Sequence, residues 1–333
     1  MLIGEVARRS GVSARMLRHY ESLGLVRPSG RTGSGYREYS GEDIRRIFHV
    51  ESLRSLGLSL REVGRALDDP GFTPSALVDD LIRRTRERIA AETELLTRLR
   101  RIDAADPGGW EDVLQVVAFL QALGSKSADA RQRAVLSSSA GEVPVPVEAL
   151  VEAVLSETDT NVAGALRWAL ARSGDDGTAL LAEGLGSPVA AVRKRAVQSL
   201  AEMPGDEAGA RLRDALAHPD VVVRGYAALA LGTRGVVDAI PTLLDMIVAG
   251  RNDTDAADAL AGLASDAVTA DRIATGLVDR LAHGSAEAPA RVRLTQALAD
   301  IPGATAARAL AELSQDGERA VAVTAAYLLR LRG

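Results

Sequence analysis

Arginine and tyrosine are concentrated between residues 15 and 39, where several glycines leave few side chains for a core. Guanidinium groups contact phosphates and pair with guanine edges, and tyrosine hydroxyls donate to phosphate oxygens. These residue types predict a surface for duplex nucleic acid. The alternative is an arginine-rich surface that meets only solvent. The residues concerned are Arg15, Arg18, Arg27, Arg31 and Arg37, with Tyr20, Tyr36 and Tyr39.

Two short helices are predicted to hold the first of these side chains. Residues 3–9 have apolar side chains at helical spacing, and Gly11 ends that helix. Ser13 is a predicted N-cap for a second helix that runs to about Leu23. Its inward positions are Met16, Leu17, Tyr20 and Leu23, and its outward positions are Arg15, Arg18 and His19.

A hairpin and two more helices are predicted to follow. The glycine-rich segment 29–35 is typical of a turn, and "YREY" at 36–39 alternates as a strand does. Helices are then predicted to start at two capping patterns, Ser40 with Asp43 and Ser59 with Glu62. Their apolar faces are Ile44, Ile47, Val50 and Leu53, and Leu60, Val63 and Leu67.

Three segments of the first 70 residues or so resemble the N-terminal domain of the MerR family of transcription regulators: "IGEVARRSGVSARMLRHYESLGLVRP", "GYREYS" and "LRSLGLSLREV". The resemblance implies a winged helix-turn-helix DNA-binding domain over residues 1–72. It places Ser13, Arg15 and Arg18 on a helix in the major groove, Tyr20 at a phosphate and Arg37 on the DNA backbone, and it carries over Tyr39 as a further DNA-binding residue. The family commonly has two tyrosines where this chain has His19-Tyr20. The alternative for Tyr20 and Tyr39 is partial burial in the small core.

Residues 73–103 are predicted to form one long helix with a dimer seam. Thr73 is a predicted cap, and Pro74 suits the first helical position. The apolar side chains fall on a heptad pattern, which is typical of a helix that pairs with a second helix. The seam residues are Val78, Ile82, Ile89, Leu96 and Leu99. The resemblance implies an antiparallel coiled-coil homodimer, and the alternative is packing of this stripe on the chain's own C-terminal domain.

Charge changes sign near a predicted linker at residues 104–109, which contains Asp-Pro-Gly-Gly. Residues 1–103 hold 19 arginines and 15 acidic residues, net +4, which leaves 21 basic (40 − 19) and 30 acidic (45 − 15) residues, net −9, for the rest. Only the first part is therefore expected to meet a polyanion.

The chain has no cysteine, which excludes disulfides and thiolate metal sites. Without a signal peptide or a long apolar run, the sequence predicts a cytoplasmic protein with no membrane partner.

Residues 110–333 are predicted to form about six helix pairs. Arg193 and Arg224 stand 31 residues apart, as do Leu200 and Leu231. A third series at the same spacing is Leu181, Leu212 and Leu243. Such units resemble short HEAT-like repeats, which implies an α-solenoid. The fold class is therefore mainly α: a winged helix-turn-helix domain with a small hairpin wing, a long dimerisation helix and a C-terminal solenoid.

The predicted solenoid has no recognisable catalytic or metal-binding pattern. His218 and His283 are isolated, and the acidic run at 253–258 lacks the glycine and glutamate of a calcium loop. We therefore predict neither cofactor nor metal. Arg193 and Arg224 are interpreted as contacts between repeats. Trp168 and Tyr226 are candidates for an effector or partner surface, the alternative being ordinary repeat packing.

The leading hypothesis is a dimeric, sequence-specific transcription regulator and not an enzyme. Its expected partners are promoter DNA with a pseudo-palindromic operator, a second copy of the chain, RNA polymerase at the promoter, and an unknown effector, peptide or protein at the solenoid. The resemblance implies activation by distorting an overlong promoter spacer. The first alternative is a DNA-tethered scaffold whose solenoid recruits a partner protein. The second is excision of alkylated bases, which the acidic, aromatic-poor C-terminal part disfavours.

Overall fold

The chain is seen in a computed structural model that describes residues 1–69, 71, 73–138, 145–282 and 287–332. Most of the segment 137–146 lies outside these residues, as does His283. Two compact units are present, the first Met1–Leu95 and the second from Leu96 onward. The long helix begins in the first unit and ends in the second.

The first unit contains the predicted helix, turn, helix and hairpin. Gly11 ends the first helix with φ of +74° and donates its N–H to Ala7 O at 3.0 Å, which turns the chain into the second helix. The described elements are α1 (Ile3–Ser10), α2 (Ala14–Ser22), β1 (Gly30–Arg31), β2 (Arg37–Glu38), α3 (Gly41–Ser55), α4 (Leu60–Asp68) and α5 (Pro74–Ala104).

Both predicted capping boxes are confirmed. The Ser40 side chain accepts from the Asp43 N–H and the Asp43 carboxylate accepts from the Ser40 N–H, and Ser59 and Glu62 form the same pair. These reciprocal bonds satisfy donors at the starts of α3 and α4 that otherwise lack partners. They orient both helices over one small core, whose fully buried members include Val6, Leu17, Ile47, Val50 and Val63.

The hairpin is shorter than predicted, and one inward residue was wrongly predicted. Only Gly30↔Glu38 and Arg31↔Arg37 pair in antiparallel register, and Leu2 adds a bridge to Glu38 from the N-terminus. Leu23 is 51% exposed, although the helical spacing predicts it to face inward. The reason is that α2 ends at Ser22, so that Leu23 is its C-cap before the chain turns at Gly24, where φ is +71°.

The long helix α5 starts at Pro74 as predicted and extends one residue beyond Asp103, to Ala104. At about 1.5 Å per residue its 31 residues span about 46 Å. Leu77 and Leu81 pack against the core of the first unit. No side chain of this helix is buried, so its remaining apolar residues are available to a partner.

The second unit consists of helix pairs, seven among the described residues rather than about six. In the pair α8–α9 the fourth residue of the second helix is Ala163, where α11 and α13 have Arg193 and Arg224. Short 3₁₀ turns lie at Gly174–Gly177, Val237–Ala239 and Leu298–Asp300. The helices are α6 (Trp110–Leu123), α7 (Ala128–Ser138), α8 (Val147–Ser156), α9 (Thr160–Arg172), α10 (Thr178–Leu185), α11 (Ala190–Glu202), α12 (Asp206–Ala215), α13 (Val221–Thr233), α14 (Ile240–Ala249), α15 (Asp253–Leu263), α16 (Ala267–Ala282), α17 (Ala288–Ala297), α18 (Ala304–Leu313) and α19 (Arg319–Arg332).

Each pair buries its apolar face against the next pair. The second helices pack in series, α11 on α13 and α13 on α15. The leucines predicted at 31-residue spacing, Leu181, Leu212 and Leu243, are all fully buried. This one-dimensional stacking is the defining feature of a solenoid. Among the described helices, none is both long enough and apolar enough to cross a bilayer.

Two glycines of neighbouring second helices differ in the space around them. A Cβ on Gly232 of α13 would lie 2.9 Å from the Ala259 Cβ, whereas a Cβ on Gly262 of α15 would meet nothing within 4 Å. We expect Gly232→Ala to destabilise the solenoid by about 1–3 kcal/mol, because α13 and α15 must separate. The matched Gly262→Ala should instead stabilise it by up to about 1 kcal/mol through helix propensity. Urea unfolding followed by circular dichroism measures both, and equal midpoints would contradict this account of the α13–α15 contact.

Candidate nucleic-acid interface

Helix α2 is oriented by one buried face, and the opposite face is polar. Its N-cap Ser13 accepts the Met16 N–H at 3.2 Å, while Leu17 and Tyr20 are 1% and 0% exposed. Because these two side chains are fixed in the core, Arg15, Arg18 and His19 project into solvent. The predicted outward set of α2 is therefore exposed as a group.

A shallow depression lies on the outward face of α2. It is lined by Ser13, Arg15, Met16 and His19. Arginine, a hydroxyl and an imidazole are hydrogen-bonding groups, and the half-buried methionine adds an apolar surface suited to a thymine methyl. This combination of groups is chemically able to read base edges.

Tyr20 is not available to DNA in the way predicted, and this is a correction. The ring is fully buried, its hydroxyl donates to the Glu51 carboxylate, and it accepts from Arg54 Nη1 at 2.8 Å. Burial, and then the hydrogen bond to Glu51, raise the pKa of Tyr20 above its ordinary value. The side chain joins α2 to α3 instead of reaching out to a phosphate.

Tyr39 requires the same correction. It is 2% exposed, and its hydroxyl donates to the Glu21 carboxylate. Burial and then Glu21 raise the pKa of Tyr39, so the hydroxyl remains a protonated donor. Glu21 also pairs with Arg37 Nε at 2.7 Å. One carboxylate on α2 therefore holds both ends of the segment that carries β2.

The wing is also tied to α3. Ser29 Oγ donates to the Asp43 carboxylate and accepts the Ser40 N–H at 2.8 Å. Burial alone would raise the pKa of Asp43, but hydrogen bonds from Ser29 and Ser40 hold this pKa below its ordinary value. With Glu21 on the other side, the hairpin is positioned by two carboxylates on two helices. The wing is thus oriented before any ligand is present.

Four of the five predicted arginines are exposed and make no ion pair with any described residue: Arg15, Arg18, Arg27 and Arg31. Arg37 differs, because it is half-exposed and paired with Glu21. Tyr36 is 66% exposed beside the hairpin turn. Uncompensated guanidinium groups on α2 and on the wing make this face of the first unit positive, which suits a polyanion.

Sequence reasoning missed three residues that position this face: Glu21, Glu51 and Arg54. Glu51 had a detectable signal, because it follows the buried Ile47 by four residues and Ile44 by seven and so lies on the same side of α3. Glu21 had none, since its contacts are with Arg37 and Tyr39, 16 and 18 residues along the chain.

The predicted dimer stripe is exposed along α5. Val78, Ile82 and Ile89 are 47%, 44% and 60% exposed, and Leu96 and Leu99 are 47% and 53% exposed. Exposed aliphatic side chains at heptad spacing favour pairing with a second helix, which would bury them.

Trp168 and Tyr226 do not share one pocket. Trp168, on α9, is 45% exposed and lies under Arg172, whose Cζ is 5.1 Å from the ring centroid. Tyr226 is half-buried on α13 and lines a separate pocket.

In the acidic run at 253–258, Asp253 lies 3.8 Å from Arg293, and Asp255 accepts from Asn252 at 3.1 Å. No cluster suited to a metal ion occurs among the described residues.

Family models match most of the first unit and part of the second. Residues 1–69 match the family model of the MerR HTH family regulatory protein, and residues 178–264 match that of HEAT repeats. The second match coincides with helices α10–α15, which contain the 31-residue spacing.

Relatives with assigned names match the first third of the chain. The nodulation protein NolA of Bradyrhizobium sp. (strain NC92) is 43% identical over 29% of this chain and 39% of its own length. The HTH-type transcriptional regulator SkgA of Caulobacter vibrioides is 38% identical over 31% of this chain and 38% of its own length. The chain thus spans about two fifths of these relatives.

Solved structures cover the same region. One of them is the N-terminal part of MtaN, the Bacillus subtilis multidrug transporter activator, at 31% identity, with 30% of this chain and 95% of that chain covered and a TM-score of 0.30. The assignment therefore depends on the family models and the sequence relatives. The chain therefore combines a winged helix-turn-helix domain with a helical solenoid. More specifically, the chain has a MerR-type helix-turn-helix domain at its N-terminus and HEAT repeats in its C-terminal part.

Proposed function

We propose that this chain is a dimeric transcription regulator of MerR type that binds double-stranded promoter DNA through α2 and the wing. The observation that carries the proposal is the outward face of α2, where Arg15, Arg18 and His19 are exposed on a helix anchored by Leu17 and Tyr20. The relatives NolA and SkgA match over this domain, and SkgA is named a transcriptional regulator.

The contacts divide into two kinds. Helix α2 enters the major groove, where Arg15 and Arg18 contact base edges and Ser13 lies at the end that approaches the backbone. Arg27, Arg31 and Arg37, with Tyr36, contact phosphates from the wing. Tyr20 and Tyr39 act indirectly, because their hydroxyl contacts with Glu51 and Glu21 hold α2 and the wing at fixed positions.

Two copies associate through α5. Val78, Ile82, Ile89, Leu96 and Leu99 form the contact, which buries an apolar stripe that is exposed in the single chain. Two-fold symmetry then places two copies of α2 on two half-sites, so the operator is a pseudo-palindrome.

Regulation follows the mechanism that the MerR resemblance implies. The dimer binds an overlong spacer between the polymerase elements and bends and untwists it, which realigns those elements for RNA polymerase. The HEAT repeats receive the signal. A ligand there changes transcription only in so far as it binds one dimer geometry more tightly than the other.

Sequencing of DNA that the full chain binds in its own cells tests this proposal. The expected result is an inverted repeat inside an overlong promoter spacer, lost in an Arg18→Ala strain and retained in an Arg308→Ala strain. Arg308 is an exposed arginine of α18, so this control removes the same charge outside the first unit. Diffuse binding or sites away from promoters would contradict the proposal and favour the scaffold hypothesis.

A further inference from the structure

A repeated ion pair links the solenoid's helix pairs. Four second helices have arginine as their fourth residue, and three of these arginines pair with a carboxylate near the start of the next second helix. Arg131 lies 2.7 Å from Glu157, Arg193 lies 2.6 Å from Asp220, and Arg291 pairs with Asp316. Each also donates to a backbone carbonyl six or ten residues earlier in the chain. The pattern joins one repeat to the next.

The pattern is interrupted at Arg224, the fourth of these arginines. Its guanidinium donates to His218 O at 2.6 Å and Pro219 O at 2.9 Å, but no described carboxylate pairs with it. Asp220 stands 27 residues after Arg193, whereas the residue 27 positions after Arg224 is Arg251. A cation therefore stands where the repeat pattern has an acid, and no ion pair with described residues neutralises it.

A pocket of about 390 Å³ lies beside this interruption, between α11, α13 and the loop from α14 to α15. That volume is in the range of small-molecule sites. Among its described lining residues the charged ones are Lys194 and Arg251, both basic. Its apolar surface comes from Tyr226, Leu229 and Met246. Two cations line a mainly apolar cavity, and no carboxylate is among its described lining residues.

The rim of the pocket is held in place by contacts outside it. Arg293 donates from Nε to Ile247 O at 2.8 Å and from Nη2 to Val248 O at 2.7 Å, so it fixes the last carbonyls of α14. Gly250 and Asn252 then turn the loop with φ of +66° and +45°. Glycine and asparagine tolerate this left-handed region best. A loop already ordered in this way loses little conformational freedom when a ligand binds.

We propose that this pocket binds an organic carboxylate with an apolar body of about a dozen non-hydrogen atoms. The carboxylate lies between the Lys194 ammonium and the Arg251 guanidinium, and the guanidinium donates two parallel N–H bonds to its oxygens. The body lies on the Tyr226 ring and the Met246 side chain. This pocket would be the place at which the HEAT repeats receive their signal, so the proposal rests on the proposed function.

Calorimetric titration of the full chain with octanoate, 4-phenylbutyrate and indole-3-acetate tests the site. We expect at least one acid to bind with a Kd of about 1 mM or tighter, which is typical for ligands of this size. The neutral amide of that acid should bind at least about tenfold more weakly, because it lacks the charge. Lys194→Gln and Arg251→Gln should each lower the affinity for the acid by at least about tenfold, since each removes one cationic partner of the carboxylate. The matched controls are Lys126→Gln and Arg308→Gln, two exposed cations outside the pocket.

Three results would overturn the site: no binding of any of these acids at about 10 mM, equal affinity for acid and amide, or unchanged affinity in both pocket variants. The DNA-binding proposal is separated by two further measurements. Arg18→Ala should bind the carboxylate as the unsubstituted chain does, and Arg251→Gln should bind operator DNA normally without ligand. If the chain binds operator DNA but no carboxylate, the pocket is refuted and the proposed function stands. If the chain binds the carboxylate but no operator DNA, the proposed function is refuted.

Discussion

Replacing Arg18 by alanine is expected to abolish the preference of the dimer for its operator over unrelated DNA. Arg18 is exposed on α2 and makes no ion pair with a described residue, so its removal leaves the contacts of Leu17 and Tyr20 intact. A bidentate arginine–guanine contact contributes about 1–3 kcal/mol of discrimination. With one copy in each half-site the loss is about 2–6 kcal/mol, or between about thirtyfold and more than ten-thousandfold. Fluorescence anisotropy with operator and scrambled duplexes measures it.

Arg31→Ala is the informative comparison, because Arg31 lies on the wing and is also free of ion pairs within the described chain. It should weaken binding to every duplex and lower the slope of log K against log salt by about 1 for each protomer. Arg37→Ala should show the same direction, with an added loss of wing order because Arg37 also pairs with Glu21. Arg308→Ala should change neither quantity. Unchanged affinities for Arg18→Ala and Arg31→Ala would refute the assignment of α2 and the wing.

The second large effect is expected at the middle of α5. Ile89→Asp should convert the dimer to a monomer, because it places two carboxylates in an apolar contact and removes two isoleucines from it. Burial of each isoleucine contributes about 1.5–3 kcal/mol, so dimerisation should weaken by about 4 kcal/mol or more, about a thousandfold. Multi-angle light scattering measures the mass. Leu96→Asp, seven residues further along the stripe, should act in the same way.

Ala91→Asp is the matched control for the dimer. It introduces the same carboxylate two residues away, outside the heptad stripe, and should leave the mass unchanged. Because Ile89 is 60% exposed in the single chain, Ile89→Asp should also keep its helical circular dichroism spectrum. A dimer that persists in both Ile89→Asp and Leu96→Asp would move the interface into the HEAT repeats.

Local features of this fold were predictable from the sequence because their causes act over a few residues. The boxes at Ser40 and Ser59, the turn at Gly11 and the start of α5 at Pro74 depend on hydrogen bonds and backbone angles within one helical turn. The leucines at 31-residue spacing predicted the repeats, because each unit repeats the same contact with its neighbour.

The tertiary structure alone decided what several of these residues contact. Tyr20 looks like a phosphate ligand in sequence, but its partners Glu51 and Arg54 are 31 and 34 residues away. Arg251 looks like an ordinary surface arginine until the packing of α11, α13 and α14 places it at a pocket with Lys194. Periodicity determines which face of a helix is apolar, whereas the partner of a side chain depends on which helices pack together, and no local pattern encodes that choice.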